Sequence, residues 1–253
     1  MTRDRNIPEE RHEVVVDEHT AYHLNHLEVE PQTVPEVPVD AQRVLDVGCG
    51  AGQTIHRLRV RDGVRVYGVD VDAKALALRP ERIRATRAAG ESLPFGEGTF
   101  DLVYAKVALP YMNIPVALTE WHRVLRPGGV LWVTIHPWRW ALKYFLAAVR
   151  EGSPKAMVYR AYILLNGLYF SLIGLVRPFP FTRRIESYQS EKTMALALAR
   201  VGFRDITSTQ AMQCIVTATK SPPSCEHGSK RIAHPIDTER AATARPASES
   251  QTR

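Results

Sequence analysis

The sequence predicts an α/β fold, with a doubly wound, mostly parallel, seven-stranded sheet and a helical insertion after the fifth strand. Two observations support this prediction. Between residues 43 and 135, short apolar runs alternate with helical patterns, which is typical of βαβ units. The alternation stops over residues 136–190 and resumes after them. The 253 residues, 45% hydrophobic and 24% charged, are enough for one large domain of ordinary globular composition.

The individual elements follow from apolar runs, helical periodicity and turn residues. The run at residues 43–47 stops at a glycine, as a buried parallel strand does. Leu118, Trp121 and Leu125 lie at helical spacing, and Pro-Gly-Gly at residues 127–129 predicts a turn. The predicted strands are 43–47, 64–69, 84–88, 100–105, 130–135, 203–209 and 213–219; the predicted helices are 18–27, 53–61, 73–78, 116–125 and 191–200.

These elements divide the chain into five parts. The N-terminus lacks an apolar core, so no secretory signal is expected. The three cysteines, Cys49, Cys214 and Cys225, have no metal-ligand spacing, which favours a reducing, cytoplasmic environment and no bound metal. The parts are an N-terminal extension (1–40), an α/β core (41–135), a helical insertion (136–190), a closing helix and strands (191–220), and a tail expected to be disordered (221–253).

The loop after the first predicted strand is the main candidate binding site. Ligands of parallel sheets bind beyond the carboxyl ends of the strands, and the glycines of residues 48–52 allow a ligand to approach the backbone closely. Asp70, at the end of the second strand, can accept hydrogen bonds from both hydroxyls of a ribose. A dinucleotide site of the G-x-G-x-x-G type needs glycine where Gln53 stands. The spacing, with Asp46 two residues before the first glycine, favours an adenosyl ligand over NAD(P).

Four motifs occur in an order that resembles the class I methyltransferases, especially those of ubiquinone, menaquinone and sterol biosynthesis. They are V-L-D-V-G-C-G-A-G, V-Y-G-V-D-V-D, E-S-L-P-F-G-E-G-T-F-D-L-V and H-R-V-L-R-P-G-G-V-L. The resemblance covers residues 43–135 and about 191–220. It implies S-adenosylmethionine as the cofactor, and none of the motifs identifies the methyl acceptor.

The resemblance also implies roles for individual residues. Asp46 would hold the methionine amino group, Asp70 the ribose hydroxyls, and Val71 would pack on the adenine. The remaining implied positions are the loop residues Gly48, Cys49, Gly50 and Gly52, the adenine edge at Gly90 and Glu91, and the sulfonium flank at Ala105 and Lys106.

Two positions depart from the family pattern. The acidic residue that often follows the third strand is replaced by Ala89, so Glu91 or backbone groups would have to contact the adenine. The histidine pair that often follows the fourth strand is replaced by Pro110 and Tyr111, so histidine chemistry is not expected there.

A proton acceptor is needed only if the methyl acceptor must lose a proton. His136, at the end of the fifth strand, and Tyr111 are the candidates for catalysis, with Tyr22 as a weaker one. His136 could equally be a polar residue that caps the strand. Cys49 is expected to be a small packing residue.

The insertion at residues 136–190 is aromatic and basic. It contains eight Lys/Arg against two Glu, and 11 of the 20 aromatic residues. The resemblance implies that this stretch forms a lid over the acceptor pocket, and its composition suits a lipid-like acceptor or peripheral contact with a membrane surface. The alternative is that its helices bury their apolar faces against the sheet and each other. Nucleic acid is not an expected partner because the basic residues are interspersed in apolar sequence.

The predicted function is therefore methyl transfer from S-adenosylmethionine to a small or lipophilic acceptor by in-line displacement. The alternative is a methyltransferase fold that has lost catalysis and serves as a cofactor-sensing or partner-binding module. The sequence makes no prediction of the oligomeric state.

Overall fold

The computed structural model describes residues 34–210 and 214–222. The predicted helix 18–27, Tyr22, and the tail from residue 223 onward lie outside the described residues. The strands are β1 Arg43–Val47, β2 Arg65–Asp70, β3 Arg84–Arg87, β4 Phe100–Ala105, β5 Leu125–Ile135, β6 Phe203–Gln210 and β7 Cys214–Lys220. The helices are α1 Gln53–Arg57, α2 Ala73–Ala77, α3 Ile114–Val124, α4 Trp138–Arg150, α5 Pro154–Ile173 and α6 Glu191–Val201, with a 3-10 turn at Leu109–Tyr111.

The seven strands form one sheet in the order β3-β2-β1-β4-β5-β7-β6. The five strands from β3 to β5 are parallel, and β7 pairs antiparallel with both β5 and β6. The predicted α/β class and mostly parallel, seven-stranded sheet are therefore confirmed. The strand order reverses between β1 and β4, and the crevice at such a switch point is where sheets of this type bind ligands.

The central strands are buried because helices and loops cover both faces of the sheet. Along β1, Leu45 and Val47 point into the larger core with Leu118 and Trp121 of α3, while Val44 points into a second cluster on the other face. The spacing of the apolar residues in α3 thus has the predicted result, since this helix buries one side on the sheet.

Two predicted elements differ from the structure. Helix α1 ends at Arg57 instead of residue 61, because Leu58 adopts an extended conformation and buries its side chain in the second cluster. The predicted turn at residues 127–129 lies inside β5. Phe100 pairs with Leu125 but Leu102 pairs with Val130, so the residues between them bulge out of the ladder.

The insertion consists of α4 and α5, which pack against each other, and a return segment (residues 174–190) that leads back to α6. α5 has 20 residues and, in the part of the chain that the structure describes, is the helix long and apolar enough to cross a membrane. Only 22% of its most apolar window is buried. α5 is therefore an apolar helix that remains largely exposed in the structure.

Candidate active site

The glycine loop follows β1 and is tied to the end of β2. The backbone N–H groups of Gly48 and Cys49 both donate to the carbonyl oxygen of Val69, at 2.8 and 3.0 Å. Gly48 adopts a φ of 79°, and a Cβ built on it would lie 2.3 Å from the Cβ of Ala108. Any larger residue at position 48 would therefore collide with the turn after β4, in addition to its backbone strain.

Asp70 connects the end of β2 to this loop. Its Oδ2 accepts a hydrogen bond of 2.7 Å from the N–H of Gly50, and its Oδ1 accepts one of 2.9 Å from the N–H of Asp72. A carboxylate has about four acceptor positions, and each of these bonds uses one of them. Asp70 thus shapes the loop that follows β1.

Asp46 is the most deeply buried charged group of the site, with 2% of its surface exposed. Its Oδ2 has no hydrogen-bond partner among the described residues. Burial raises the pKa of Asp46 to about 8, and Asp70 adds to this effect. The hydroxyl of Tyr104, its register partner on β4, faces the carboxylate and lowers the pKa, but its geometry falls short of a hydrogen bond.

Ala105 ends β4 on the other side of the switch point, and Lys106 follows it. Burial and, to a lesser extent, the charge of Arg57 lower the pKa of Lys106 to about 8, although the charge of Asp46 acts in the opposite direction. Asp46 and Lys106 are therefore close enough to influence each other's ionisation. They bring one acidic and one basic group to the same crevice.

The predicted adenine-edge residues lie beside the start of α3. The carbonyl oxygen of Gly90 accepts a hydrogen bond of 2.8 Å from Nε1 of Trp121. Glu91 Oε1 accepts one of 2.9 Å from the N–H of Asn113, the N-terminal capping residue of α3. Val71 is partly exposed just after β2. Glu91 therefore has a structural task at α3 in addition to any contact with a ligand.

Cys49 packs over β2. A Cβ on Gly68 would lie 2.6 Å from the Cys49 Sγ, so the absence of a side chain at Gly68 makes room for the thiol. Burial raises the pKa of this thiol, and the carboxylates of Asp46 and Asp70 raise it further. A thiol that stays protonated is a poor nucleophile.

The two candidate catalytic side chains lie next to each other at the rim of the crevice. The rings of Tyr111 and His136 meet edge to face, with centroids 5.9 Å apart. Gln189 of the return segment holds His136 from both sides: its N–H donates to the His136 carbonyl oxygen at 2.8 Å, and its Oε1 accepts from the His136 N–H at 3.0 Å. The insertion is thus connected directly to the rim.

Sequence reasoning missed three residues at this site, which are Tyr104, Thr134 and Gln189. Tyr104 could have been found from register, since neighbouring parallel strands place it beside Asp46. Gln189 gave no sequence signal because it lies 53 positions from its partner. Within residues 34–210 and 214–222, no group of three or more His, Cys, Asp or Glu side chains could hold a metal ion.

A sheet in this strand order, with a glycine loop after β1 and an aspartate after β2, has the arrangement expected of the class I methyltransferase fold. Residues 45–133 match the protein family described as a methyltransferase domain, so this part of the chain is assigned to that family.

Curated relatives match a stretch of similar length. An uncharacterized methyltransferase of Synechocystis is 43% identical over 95 residues, which are 35% of this chain and 44% of that protein. A malonyl-[acyl-carrier protein] O-methyltransferase of Erwinia pyrifoliae is 36% identical over 107 residues, 39% of each chain. A mitochondrial arginine-hydroxylase of Rattus norvegicus is 36% identical over 101 residues, 38% of this chain and 29% of that protein. The chain thus spans less than half the length of these relatives.

The fold extends further than the sequence similarity. The crystal structure of an S-adenosylmethionine-dependent methyltransferase of Thermotoga maritima covers 81% of this chain, and this chain covers 96% of it, with a TM-score of 0.52 and 16% identity. At that identity the likeness concerns the fold alone.

Proposed function

We propose that the protein transfers a methyl group from S-adenosylmethionine to a small or lipophilic acceptor. The observation that carries this proposal is Asp46 Oδ2, which is buried beside the glycine loop without a hydrogen-bond partner among the described residues. A buried acceptor without a partner is unfavourable, and the ammonium group of the cofactor's methionine part would satisfy it. The residues present therefore fit this cofactor.

The other residues of the crevice fit the remaining parts of the cofactor. Asp70 lies at the end of β2 beside the glycine loop, where its carboxylate would accept from the ribose hydroxyls, and the exposed side of Val71 is available to the adenine face. The cofactor, when bound, supplies a methyl group already activated on a positively charged sulfur, so the protein contributes mainly proximity and orientation.

His136 and Tyr111 would act on the acceptor. Their paired rings lie at the rim, where an acceptor would enter, and the backbone of His136 is fixed by Gln189. An acceptor hydroxyl or amine that loses its proton on methylation would give it to the imidazole. An acceptor carbon or a tertiary amine would need no such base.

Binding of S-adenosylmethionine and of NADH, each measured by calorimetry, tests the cofactor assignment. We expect binding of the former alone. Asp70→Ala should weaken it by about 1–3 kcal/mol, because it leaves polar partners unpaired. Asp70→Asn is the matched control: it keeps the shape and one acceptor oxygen and should lose less. Equal affinity of Asp70→Ala and the unmodified protein would contradict the assignment.

The reaction itself is tested with methyl-labelled cofactor and a cell extract divided into lipid, small-molecule, protein and RNA fractions. We expect label in the lipid or small-molecule fraction. Label in protein or RNA would contradict the proposed acceptor class. Binding without any transfer of label would favour a cofactor-binding module. The arginine-hydroxylase among the relatives is named for a different reaction, although it is 36% identical over 101 residues.

We further propose that the insertion lies on an anionic membrane surface and gives the site access to a lipid-like acceptor. The outward side of α5 supports this proposal. Val158, Leu165, Leu168 and Leu172 recur there at helical spacing, and each is between 47% and 75% exposed. An exposed apolar stripe of this length is unusual in a soluble protein unless a partner covers it.

Aromatic and charged residues of the insertion favour lipid as this partner. Trp138, Trp140 and Tyr144 of α4 are exposed, and such amphipathic rings are typical of membrane interfaces. The insertion's eight basic residues outnumber its two glutamates, one of which, Glu186, lies within 3.9 Å of Arg160 and accepts from the Tyr159 hydroxyl. The excess positive charge complements an anionic headgroup layer.

The inward side of α5 favours a position along the membrane surface and not across it. Asn166, which is buried, accepts from the N–H of Arg177 at 2.8 Å and donates to the carbonyl oxygen of Glu186 at 2.9 Å. The hydroxyl of Tyr162 donates to the carbonyl oxygen of Arg177 at 2.6 Å. A spanning α5 would have to break these bonds in hydrocarbon, where unpaired polar groups are costly.

Sedimentation with liposomes tests this proposal. We expect binding to vesicles that contain anionic lipid, weakening as salt is added. Leu165→Glu with Leu172→Glu should abolish it. The matched control is Leu78→Glu with Leu196→Glu, which adds the same charge at exposed leucines of the α/β core. Protein that stays in the supernatant at low salt, or that resists extraction from cell membranes at high pH, would contradict peripheral binding.

A further inference from the structure

The turn that follows β4, at residues 106–108, has an unusual backbone. Val107 adopts a φ of 62°, in the left-handed region that favours glycine. A β-branched residue is a genuine outlier there, because its side chain crowds the backbone. Such conformations persist only where the surrounding structure holds them, and they concentrate at functional sites.

One hydrogen bond holds this turn to the next strand. The N–H of Val107 donates to Oγ1 of Thr134 at 2.7 Å. Thr134 is 1% exposed and follows Val133, which pairs with Ala105 at the end of β4. In this buried position a valine would fill almost the same space, and it would lose only the acceptor oxygen.

The same turn contacts the glycine loop and brings Lys106 close to Asp46, the two parts of the proposed cofactor site. Ala108 occupies the space that a side chain at Gly48 would need, so the turn packs directly on the glycine loop. Lys106, half-buried at the start of the turn, is close enough to Asp46 for each to shift the other's ionisation. A movement of the turn would therefore displace Lys106 and also remove the support of the glycine loop.

We propose that Thr134 is a positioning residue: its hydroxyl holds the strained 106–108 turn, and the turn in turn fixes Lys106 beside Asp46 and supports the glycine loop. This inference rests on the proposed function, since its consequence is the arrangement of the cofactor site. Thr134 acts through Val107 and is not assigned any contact with cofactor or acceptor.

Thr134→Val is the main test, with Thr134→Ser as the conservative control. Thr134→Val leaves the buried N–H of Val107 without an acceptor, and we expect S-adenosylmethionine affinity to fall by about fivefold to 100-fold. Thr134→Ser retains the hydroxyl and should stay within about threefold of the unmodified protein. The pH dependence of cofactor binding between pH 6 and 7.5 should also change in Thr134→Val, because Lys106 and Asp46 lose their fixed arrangement.

Val107→Gly combined with Thr134→Val provides a second variant in case the single change prevents folding. Glycine adopts the left-handed conformation without help, so the double variant should fold and recover part of the lost affinity. If Thr134→Val lowers only the melting temperature and leaves both the affinity and its pH dependence unchanged, Thr134 is merely structural and the inference is overturned. If the unmodified protein itself does not bind S-adenosylmethionine, the proposed function is overturned as well.

Discussion

The α/β core and the helical insertion differ in how far they bury similar apolar side chains. Leu118 of α3 is fully buried between helix and sheet, whereas Leu165 of α5 is 66% exposed. The family match covers residues 45–133 and ends before the insertion begins. The core is therefore stabilised by burial and contains the region that matches the methyltransferase family. The insertion buries a few apolar side chains, such as Phe170 and Val176, and adds polar contacts, but it leaves a row of leucines on α5 exposed, as a surface that binds a partner would.

The largest expected effect comes from the same substitution made in both regions. Leu118→Ala should lower the free energy of unfolding by about 2–5 kcal/mol, because it leaves a cavity in a closely packed core. Leu165→Ala should change it by less than about 0.5 kcal/mol, since the side chain already faces solvent. Urea denaturation measures both. If both variants lose a similar free energy of unfolding, a part of the protein covers α5, and the contrast between a buried core and an exposed insertion is wrong.

The polar contacts of the insertion give the next largest effect. Asn166→Ala removes the partners of the Arg177 N–H and the Glu186 carbonyl oxygen, and we expect a local cost of about 1–3 kcal/mol. Hydrogen exchange should accelerate in the return segment and stay unchanged in β1 and β4. Leu168→Ala, on the exposed side of the same helix, is the control and should leave both rates unchanged. Acceleration throughout the sheet would show that the insertion and the core unfold together.

The core could be predicted closely from sequence because its signals are local. Apolar runs that end at glycine locate the parallel strands, and β1 and β4 have the predicted bounds. The bulge at residues 127–129 was mistaken for a turn, since Pro-Gly-Gly is common in both and only the pairing of Phe100 with Leu125 distinguishes them. The early end of α1 likewise depends on the packing of Leu58 in the second cluster, and a helical pattern in the sequence does not reveal this packing.

The site was only partly predictable. Asp46, Asp70 and the glycine loop stand in recognisable motifs, and the structure brings them together at the switch point. The contact between Tyr111 and His136 joins two segments 25 positions apart that share no motif. The hydrogen bonds of Gln189 and Thr134 also join residues that are far apart in sequence. The left-handed backbone of Val107 could not be predicted, because valine normally avoids this conformation. Sequence patterns predicted the candidate cofactor residues but not the contacts that hold them in place.

The smallest expected effect concerns ionisation in the core, which the exposed insertion should not show. With its pKa raised to about 8, Asp46 is largely protonated in the free protein at neutral pH. The cofactor's ammonium group favours the carboxylate, so binding should release a proton, and affinity should rise severalfold per pH unit between pH 6 and 7.5. Asp46→Asn, which does not ionise, should bind more weakly and lose this dependence; calorimetry in buffers of different pH measures both.

Asp46→Asn should weaken cofactor binding but stabilise the protein in the absence of cofactor. Because the folded-state pKa of Asp46 lies above the unfolded value of about 3.8, the carboxyl group destabilises the free protein progressively as the pH rises from about 4 toward 8. Asp46→Asn removes this cost, so its melting temperature in the absence of cofactor should exceed that of the unmodified protein at pH 8 and approach it at pH 5. A stability loss at pH 8 would mean that the Asp46 carboxylate is already satisfied without ligand, which would remove the observation on which the cofactor assignment rests.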